Sequence, residues 1–257
     1  MRIVYKIILI YFLYKLYEYL FVNKTNEHFR KKNNVHFMNI LDDSDEYVKN
    51  LSSADLRARH VSSHQEYQNV VKNSIMKFTP EEKQRLVRLA NEVDSTLSEL
   101  NDKSSFDYIK ASKIHWYFVK VNTTYENGYP HTRLSKNKVV IVLSTNNMNS
   151  SDYTLRKTML HEKVHVYQKL YPDDTYQYIR RLGFKRTNYL RTCTKKLCIR
   201  SNPDLDNYIY VKKNKKYFTI YKTRIPKNIN DIKTIPINNV QFEHPFELMA
   251  YSIENKI

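Results

Sequence analysis

Two histidines and a glutamate stand in the pattern His161-Glu162-Lys163-Val164-His165, whose spacing permits metal chemistry. Residues four apart on a helix share one face, with Cβ atoms about 5–6 Å apart, so both imidazoles can bind one ion. Glu162 projects about 100° around the helix from His161, where its carboxylate can take a proton from an activated water. The pattern predicts a metal-dependent hydrolase. The alternative is an ordinary helix whose polar residues are solvated or paired in the core.

A third protein ligand is expected, because a catalytic zinc site normally has three and keeps its fourth position open. Glu247 is the first choice, since Pro245 suits the first position of a helix and places Glu247 in the first turn. A negative charge there also suits a helix N-terminus without any metal. The other candidates are Glu254, two turns further along the same face, and Glu243, His244, His115 and His131.

Neighbouring elements must hold the histidine helix in place. Ser151 can cap this helix, and Tyr171-Pro172 ends it. Residues 113–121 and 138–144 are rich in β-branched and aromatic side chains, which predicts two strands upstream of the helix. Strands and helices in this order favour an α+β fold.

A further helix begins clearly at Thr79-Pro80-Glu81-Glu82. Thr79 can cap it, Pro80 suits the first helical position, and Glu82 completes a capping box. An apolar stripe follows at helical spacing, formed by Leu86, Leu89, Val93, Leu97 and Leu100. Such a stripe belongs to the core and not to a functional site.

The two metal motifs together resemble the zincin metallopeptidases of the gluzincin type. The resemblance covers residues 136–257, with the HExxH pattern, a preceding strand and a later helix that bears Glu247. It implies a zincin-like α+β fold, in which a small sheet with an edge strand packs on the HExxH helix. It also implies a helical C-terminal part that carries the third ligand. The third-histidine extension of metzincins is absent.

The same resemblance implies a catalytic centre. His161, His165 and Glu247 would bind Zn²⁺, and Glu162 would act as general base on a peptide or protein substrate. The strand at 139–143, as the edge strand, could hold an extended peptide by backbone pairing. Such enzymes usually add a donor for the oxyanion, and the candidates are Tyr208, Tyr210 and Tyr251.

Residues 200–204 lie between the two metal motifs and read Arg-Ser-Asn-Pro-Asp. Asn-Pro-Asp is typical of a turn, and turn formation is the preferred interpretation. Substrate contact by Arg200 or Asp204 is the alternative.

Composition excludes some functions. Only two glycines occur, so phosphate-cradling loops and dinucleotide fingerprints, which need several, are excluded. Tight turns with positive φ are expected to use Asn and Asp instead.

The net charge of +17 permits binding to nucleic acid or to an anionic membrane surface. No long basic arm is present, so we do not expect nucleic acid as a partner. A basic nucleic-acid or membrane-surface binding protein with a structural or vestigial metal site is the alternative function.

Three regions are expected along the chain. Residues 1–22 are hydrophobic and just long enough for an uncleaved membrane anchor, with a cytoplasmic protein as the alternative. Residues 23–60 are polar and read as a linker, and residues 61–257 form the metallohydrolase domain. Cys193 and Cys198 could form a disulfide or stay reduced, which leaves the compartment open.

Overall fold

The secondary structure combines strands and helices along much of the chain. This computed structural model describes Lys15 and residues 34–44, 46–100, 106–191, 197–233 and 243–256. The strands there are β1 (Val35–Met38), β2 (Ile75–Met76), β3 (Trp116–Val121), β4 (His131–Ser135), β5 (Lys138–Ser144), β6 (Lys185–Leu190), β7 (Tyr208–Lys212), β8 (Lys215–Tyr217), β9 (Ile220–Tyr221) and β10 (Ile232–Lys233). The α-helices there are α1 (Ser53–Ala58), α2 (His64–Ser74), α3 (Pro80–Glu99), α4 (Tyr108–Ser112), α5 (Thr145–Met148), α6 (Asp152–Leu170), α7 (Pro172–Arg181) and α8 (Pro245–Glu254). The predicted α+β class is confirmed.

The main sheet is built around β3. Its strand order is β1, β3, β5, β4, and β2 pairs with β3 as well. β1 and β5 run parallel to β3, whereas β4 runs antiparallel to β5. The two strands predicted from the sequence are confirmed as β3 and β5. The prediction that residues 139–143 form the edge strand is wrong, because β4 pairs with the outer side of β5 and occupies the edge itself.

Two tight hairpins turn without glycine. Lys136 and Asn137, between β4 and β5, have φ of 46° and 59°. Lys213 and Asn214, between β7 and β8, have φ of 48° and 62°. Positive φ at both central residues gives the two-residue turn whose twist matches the paired strands, and Asn tolerates it better than most residues. Asn takes one of the two positive-φ positions in each turn and Lys takes the other. The prediction that Asn and Asp would serve the tight turns is therefore confirmed here for Asn only, and only in part.

β5 is buried on both of its faces. Val139, Ile141 and Leu143 belong to the core that contains the inward residues of α3, α6 and α8. Val140 and Val142 belong to a second core, formed largely with residues 41–71. Alternate side chains of a strand point to opposite faces, so the sheet is the middle of three layers. This explains why β5 reads as a continuous apolar run.

Residues 34–44 and 46–60 are part of this fold, although the polar composition of residues 23–60 predicted a linker. β1 pairs with β3 in the main sheet, and Asp43 accepts a hydrogen bond of 2.8 Å from the buried Arg133. The linker prediction is therefore wrong for the described residues. Their buried apolar side chains are Leu41, Val48, Leu51, Ala54, Leu56 and Ala58.

The region between α7 and α8 contains two small antiparallel sheets. β6, β7 and β8 form one, and β9 and β10 form the other. The expected helical C-terminal part is thus helical only in α7 and α8 within the described residues. β-branched and aromatic side chains in Tyr208–Lys212 explain why β7 is a strand. α8 begins at Pro245 as predicted, and the His244 side chain caps it by accepting from the Phe246 backbone N–H.

Two sequence predictions fall wholly or partly outside the described residues. Residues 1–22, the candidate membrane anchor, are not among them apart from Lys15. In the part of the chain that is described, no helix combines the length and the apolar character needed to cross a membrane. Cys198 is disulfide-bonded, and Cys193, the other cysteine of the chain, lies outside the described residues.

α6 lies in the interior and carries a buried lysine. Its capping residue Ser151 accepts from the Thr154 backbone N–H, as the sequence predicts. The Lys163 ammonium donates to the backbone oxygen of Ile114 at 2.5 Å and to Asp94 at 3.1 Å. It also lies 3.9 Å from the centroid of the Trp116 ring. These contacts fix α6 to α3 and to β3.

We expect Lys163→Ala to destabilise the protein by about 3 kcal/mol, because it removes the cation that pairs with Asp94 and the donor to Ile114 in a mostly buried site. The hydrogen bond from Trp116 to Asp94 remains and does not replace that charge. Chemical denaturation followed by circular dichroism measures the change. Arg156→Ala, on the same helix, is the control, since Arg156 lies 3.9 Å from Glu92 on the surface and its loss should cost less than about 1 kcal/mol. Equal unfolding midpoints for the two variants would contradict the anchoring role of Lys163.

Candidate metal centre

Two imidazole rings converge on α6. His161 and His165 are one helical turn apart, and their Nε2 atoms are 3.1 Å from each other. The side chain of His165 is 1% exposed and that of His161 is 13% exposed. Two ring nitrogens this close, both directed to one point, need a proton or a cation between them.

Glu247 reaches the same point from α8, which packs against α6. Its Oε2 lies 3.4 Å from Nε2 of His161 and 3.6 Å from Nε2 of His165. Pro245 at the start of α8 places Glu247 in the first turn, as the sequence predicts. The structure thus brings the three predicted ligands together. Within the described residues they are the group of three whose ligand atoms all lie within 4.8 Å of one another.

The spacing of these atoms fits a tetrahedral ion. Zinc binds His nitrogen and carboxylate oxygen at about 2.0–2.1 Å, so tetrahedral ligands lie about 3.3–3.4 Å apart. The three observed separations are 3.1, 3.4 and 3.6 Å. Two nitrogens and one oxygen are also a donor set that zinc accepts in catalytic sites. The residues present therefore fit the ion that the resemblance implies.

Each histidine is held from behind by a hydrogen bond at Nδ1. His161 Nδ1 lies 2.9 Å from Oε2 of Glu254, and His165 Nδ1 lies 2.8 Å from Oε1 of Gln168. Gln168 in turn donates to the backbone oxygen of Phe246 at 2.9 Å. When Nδ1 carries the proton, Nε2 is left free for an ion. Glu254, an alternative third ligand in the sequence, instead orients His161.

The remaining candidate ligands do not join this group of three. Glu243 accepts from Arg200 at 2.8 Å, and His244 lies 3.1 Å from Asp206. His115 stacks on His36. His131 lines the same cavity as the metal centre, but its ring does not join the ligand group.

Glu162 is buried beside the ligands, and its Oε2 has no hydrogen-bond partner. Burial, and then the negative charge of Asp204, raises its pKa to about 8. At neutral pH the carboxyl therefore carries a proton in the metal-free protein, and a cation bound beside it would favour the carboxylate form that can accept one. The sequence pattern predicts a general base at this residue, and that role stays a prediction.

The charges around the site favour a cation. Burial lowers the pKa of His161, but hydrogen bonds to Glu247 and Glu254 outweigh it and raise the pKa to about 10. Burial would raise the pKa of Glu247, but the two histidines hold it well below its usual value. Without a metal, a protonated His161 therefore lies between two carboxylates at neutral pH. A divalent cation can take the place of that proton.

The site opens into a cavity of about 580 Å³. Tyr251 lines it, one turn after Glu247 on α8, with its ring centroid 4.6 Å from that of His161. Burial and the nearby carboxylates raise the pKa of Tyr251 to about 12, so its hydroxyl stays protonated. Tyr210 donates to Asp206 at 2.7 Å and lies outside the cavity lining, as does Tyr208. Of the three tyrosines that the sequence left open, the structure places only Tyr251 at the site.

The outer edge of β4 is already engaged. Asp204 accepts from both the backbone N–H and the hydroxyl of Thr132, the latter at 2.8 Å. The N–H of Lys136, just beyond the strand, donates to Asp42 at 3.1–3.2 Å. An extended peptide could pair with Thr132 only by displacing Asp204.

One wall of the cavity is a buried ion pair that sequence reasoning missed. Arg59 binds both oxygens of Glu126, at 2.7 and 2.9 Å, and Tyr67 donates to the same carboxylate. Glu126 has φ of 46°, in the left-handed region, so the surrounding contacts hold its backbone in an unfavourable conformation. Arg59 and Glu126 are 67 positions apart in the chain, and no local pattern connects them.

The chain matches no protein family, no curated protein and no solved structure at a significant level. Its function must therefore be argued from the geometry of its own residues.

In the metal-free protein we expect the ring resonances of His161 to titrate near pH 10 in NMR spectra. Glu254→Gln should lower that midpoint, because it removes one of the two anionic partners. The raised pKa contributes stability that is fully present below about pH 6.5 and is lost as the pH rises toward 10. His131, whose pKa is lowered by burial, is the internal control and should stay neutral above pH 6.5. A midpoint for His161 near 6.5 would contradict the assignment.

Proposed function

We propose that this protein is a zinc-dependent hydrolase, and specifically a metallopeptidase of the zincin type. The spacing of His161, His165 and Glu247 carries the proposal, since it matches a tetrahedral site with three protein ligands. Structural zinc sites are closed by a fourth protein ligand, whereas this centre lines a cavity. The resemblance to gluzincins supports the zincin type, and the main sheet has an edge strand, β4, beside the cavity.

His161, His165 and Glu247 would hold the ion. Zinc bound there supplies Lewis-acid activation of a water and of the scissile carbonyl. Glu162 accepts the proton of the attacking water and passes it to the departing amine. Its unpartnered oxygen is free to accept from that water, and the positive charge of a bound ion would favour the carboxylate form that does so.

Tyr251 is the proposed donor to the oxyanion. Its ring packs against His161 and its hydroxyl stays protonated at neutral pH. A donor aimed at the developing negative charge typically contributes about 10²–10³-fold to the rate.

The proposed substrate is a peptide or protein, on the strength of the resemblance to peptidases. Backbone pairing with β4 is a common way to hold an extended chain, but the N–H of Thr132 is taken by Asp204. Substrate binding along β4 therefore requires Asp204 to move, or else the peptide is held by other walls of the cavity.

A basic binding protein with a structural metal is the second candidate, and one surface feature favours it. Exposed cations cluster where α7 ends and where β7 turns into β8, and within the described residues they form no ion pairs. Unpaired clusters of this kind attract phosphate-bearing partners. The cluster consists of Arg180, Arg181, Lys185, Lys213, Lys215 and Lys216. The binding protein is the second candidate because this function does not explain the buried, unpartnered oxygen of Glu162.

Variants of the HExxH helix should distinguish loss of zinc from loss of hydrolysis. Purified protein should contain about one equivalent of zinc. Glu162→Gln should keep the zinc, because Glu162 is not a ligand, yet lower hydrolysis of a peptide library by about 10²–10⁴-fold. His165→Ala should lose zinc and hydrolysis together. Elemental analysis and mass spectrometry of the library measure the two properties.

Several outcomes would count against the hydrolase. Parental cleavage rates in Glu162→Gln would remove Glu162 as the base. Bound zinc without cleavage of any library member, together with salt-sensitive binding of an oligonucleotide, would favour the second candidate.

Tyr251→Phe should lower kcat by about 10²–10³-fold with unchanged zinc content, since only the hydroxyl is removed. Tyr210→Phe is the matched control, because its hydroxyl bonds Asp206 away from the cavity, and it should retain the parental kcat. Similar kcat values for the Tyr251→Phe variant and the parent would exclude Tyr251 as the donor.

A further inference from the structure

Residues 200–204, named here the 200–204 segment, line the cavity beside the candidate metal centre. The sequence favours a turn for them, and Pro203 and Asp204 do lie in a turn. The side chains of the segment nevertheless bind groups of the site itself. Its role thus extends beyond reversing the chain.

Asn202 binds the side chain of Glu247 through its amide. Its Nδ2 donates to Oε1 of Glu247 at 3.3 Å and to Oε1 of Glu243 at 3.1 Å. Its Oδ1 accepts from the backbone N–H of Asp204 at 3.0 Å. Both ends of the amide are engaged, which fixes the orientation of the amide nitrogen and oxygen.

The two oxygens of Glu247 consequently face different partners. Oε1 accepts from Asn202, whereas Oε2 lies 3.4 and 3.6 Å from the Nε2 atoms of His161 and His165. A carboxylate held in this way offers one oxygen to an ion and resists the rotation that would offer both.

The backbone around Asn202 is anchored to two other parts of the fold. Ser201 donates its N–H and its hydroxyl to Asp55, at 2.9 and 3.0 Å. Asp204 accepts from the Thr132 hydroxyl on β4 at 2.8 Å. Asn202 is therefore held on both sides, and its amide is in position before any ion binds.

We propose that Asn202 is a positioning residue of the metal centre, whose amide holds Glu247 so that Oε2 alone is presented beside His161 and His165. The inference rests on the proposed zinc site. Loss of a group that orients a metal ligand typically costs about 10–100-fold in metal affinity. Asn202→Ala should weaken zinc binding by that factor while all three ligands remain.

The test is a double-mutant cycle in zinc affinity, measured by competition with a chromophoric chelator. The proteins are the parent, Asn202→Ala, Glu247→Ala and the double variant. Once Glu247 is absent, Asn202→Ala should change the affinity by less than about threefold, because the amide has no ligand left to hold. Asn149→Ala is the matched control, because it removes the same amide from an exposed position outside the cavity lining, and it should stay within about threefold of the parent.

Cobalt(II) in place of zinc gives a second readout. Asn202→Ala frees Oε1, so Glu247 can bind through both oxygens, and the d–d absorption should weaken as the coordination number rises. A purely structural defect would not change the coordination number. Thermal unfolding of the metal-free proteins verifies that each variant is folded. Asn202→Leu, which is close in volume, replaces the alanine variant if that protein is unfolded.

Two results would overturn the inference: parental zinc affinity in the Asn202 variant, or an equal loss of affinity with and without Glu247. A parent protein that binds no zinc rejects the proposed function instead. The two failures are therefore distinguishable.

Discussion

The buried polar side chains of α6 constrain the whole fold, because each needs a partner inside the protein. Lys163 finds Asp94 on α3, and Gln168 connects His165 to the backbone of α8. These contacts hold α3 and α8 against one central helix. Among the buried polar side chains of α6, only Glu162 keeps an oxygen without a partner. Glu162, which lacks this partner, is also the residue that would transfer the proton in the proposed reaction.

The cavity is formed by parts of the chain that are far apart in sequence. α6 and α8 supply the candidate ligands, the 200–204 segment supplies one wall, and the ion pair of Arg59 with Glu126 supplies another. Arg59 belongs to the segment that forms the second core, and this segment packs on the opposite face of the sheet from α6. A site shared by three layers is held rigidly, since a shift in any one layer would break hydrogen bonds to the others.

Local patterns predicted the parts of the site that depend on helical spacing. The one-turn spacing of His161 and His165 and the first-turn position of Glu247 could be read from the sequence, because helix caps and prolines mark where helices begin. The edge strand β4 and the role of residues 34–60 could not, because strand pairing joins distant segments whose own composition is polar. The role of Asn202 could not be read from the sequence either, because its partner is distant in the chain and its own neighbours form a turn pattern. Its bond to Glu247 spans 45 positions, and Asn-Pro-Asp is typical of turns wherever it occurs.

The distribution of the three ligands over two helices has a mechanical consequence. An ion held by His161, His165 and Glu247 would act as a cross-link from α6 to α8, enclosing α7 and both small antiparallel sheets in one loop. The entropy that a cross-link removes from the unfolded chain grows with the length of the loop it closes. Departure of the ion would therefore remove a stabilisation of the folded state relative to the unfolded chain, and detachment of α8 from α6 would be coupled to metal exchange.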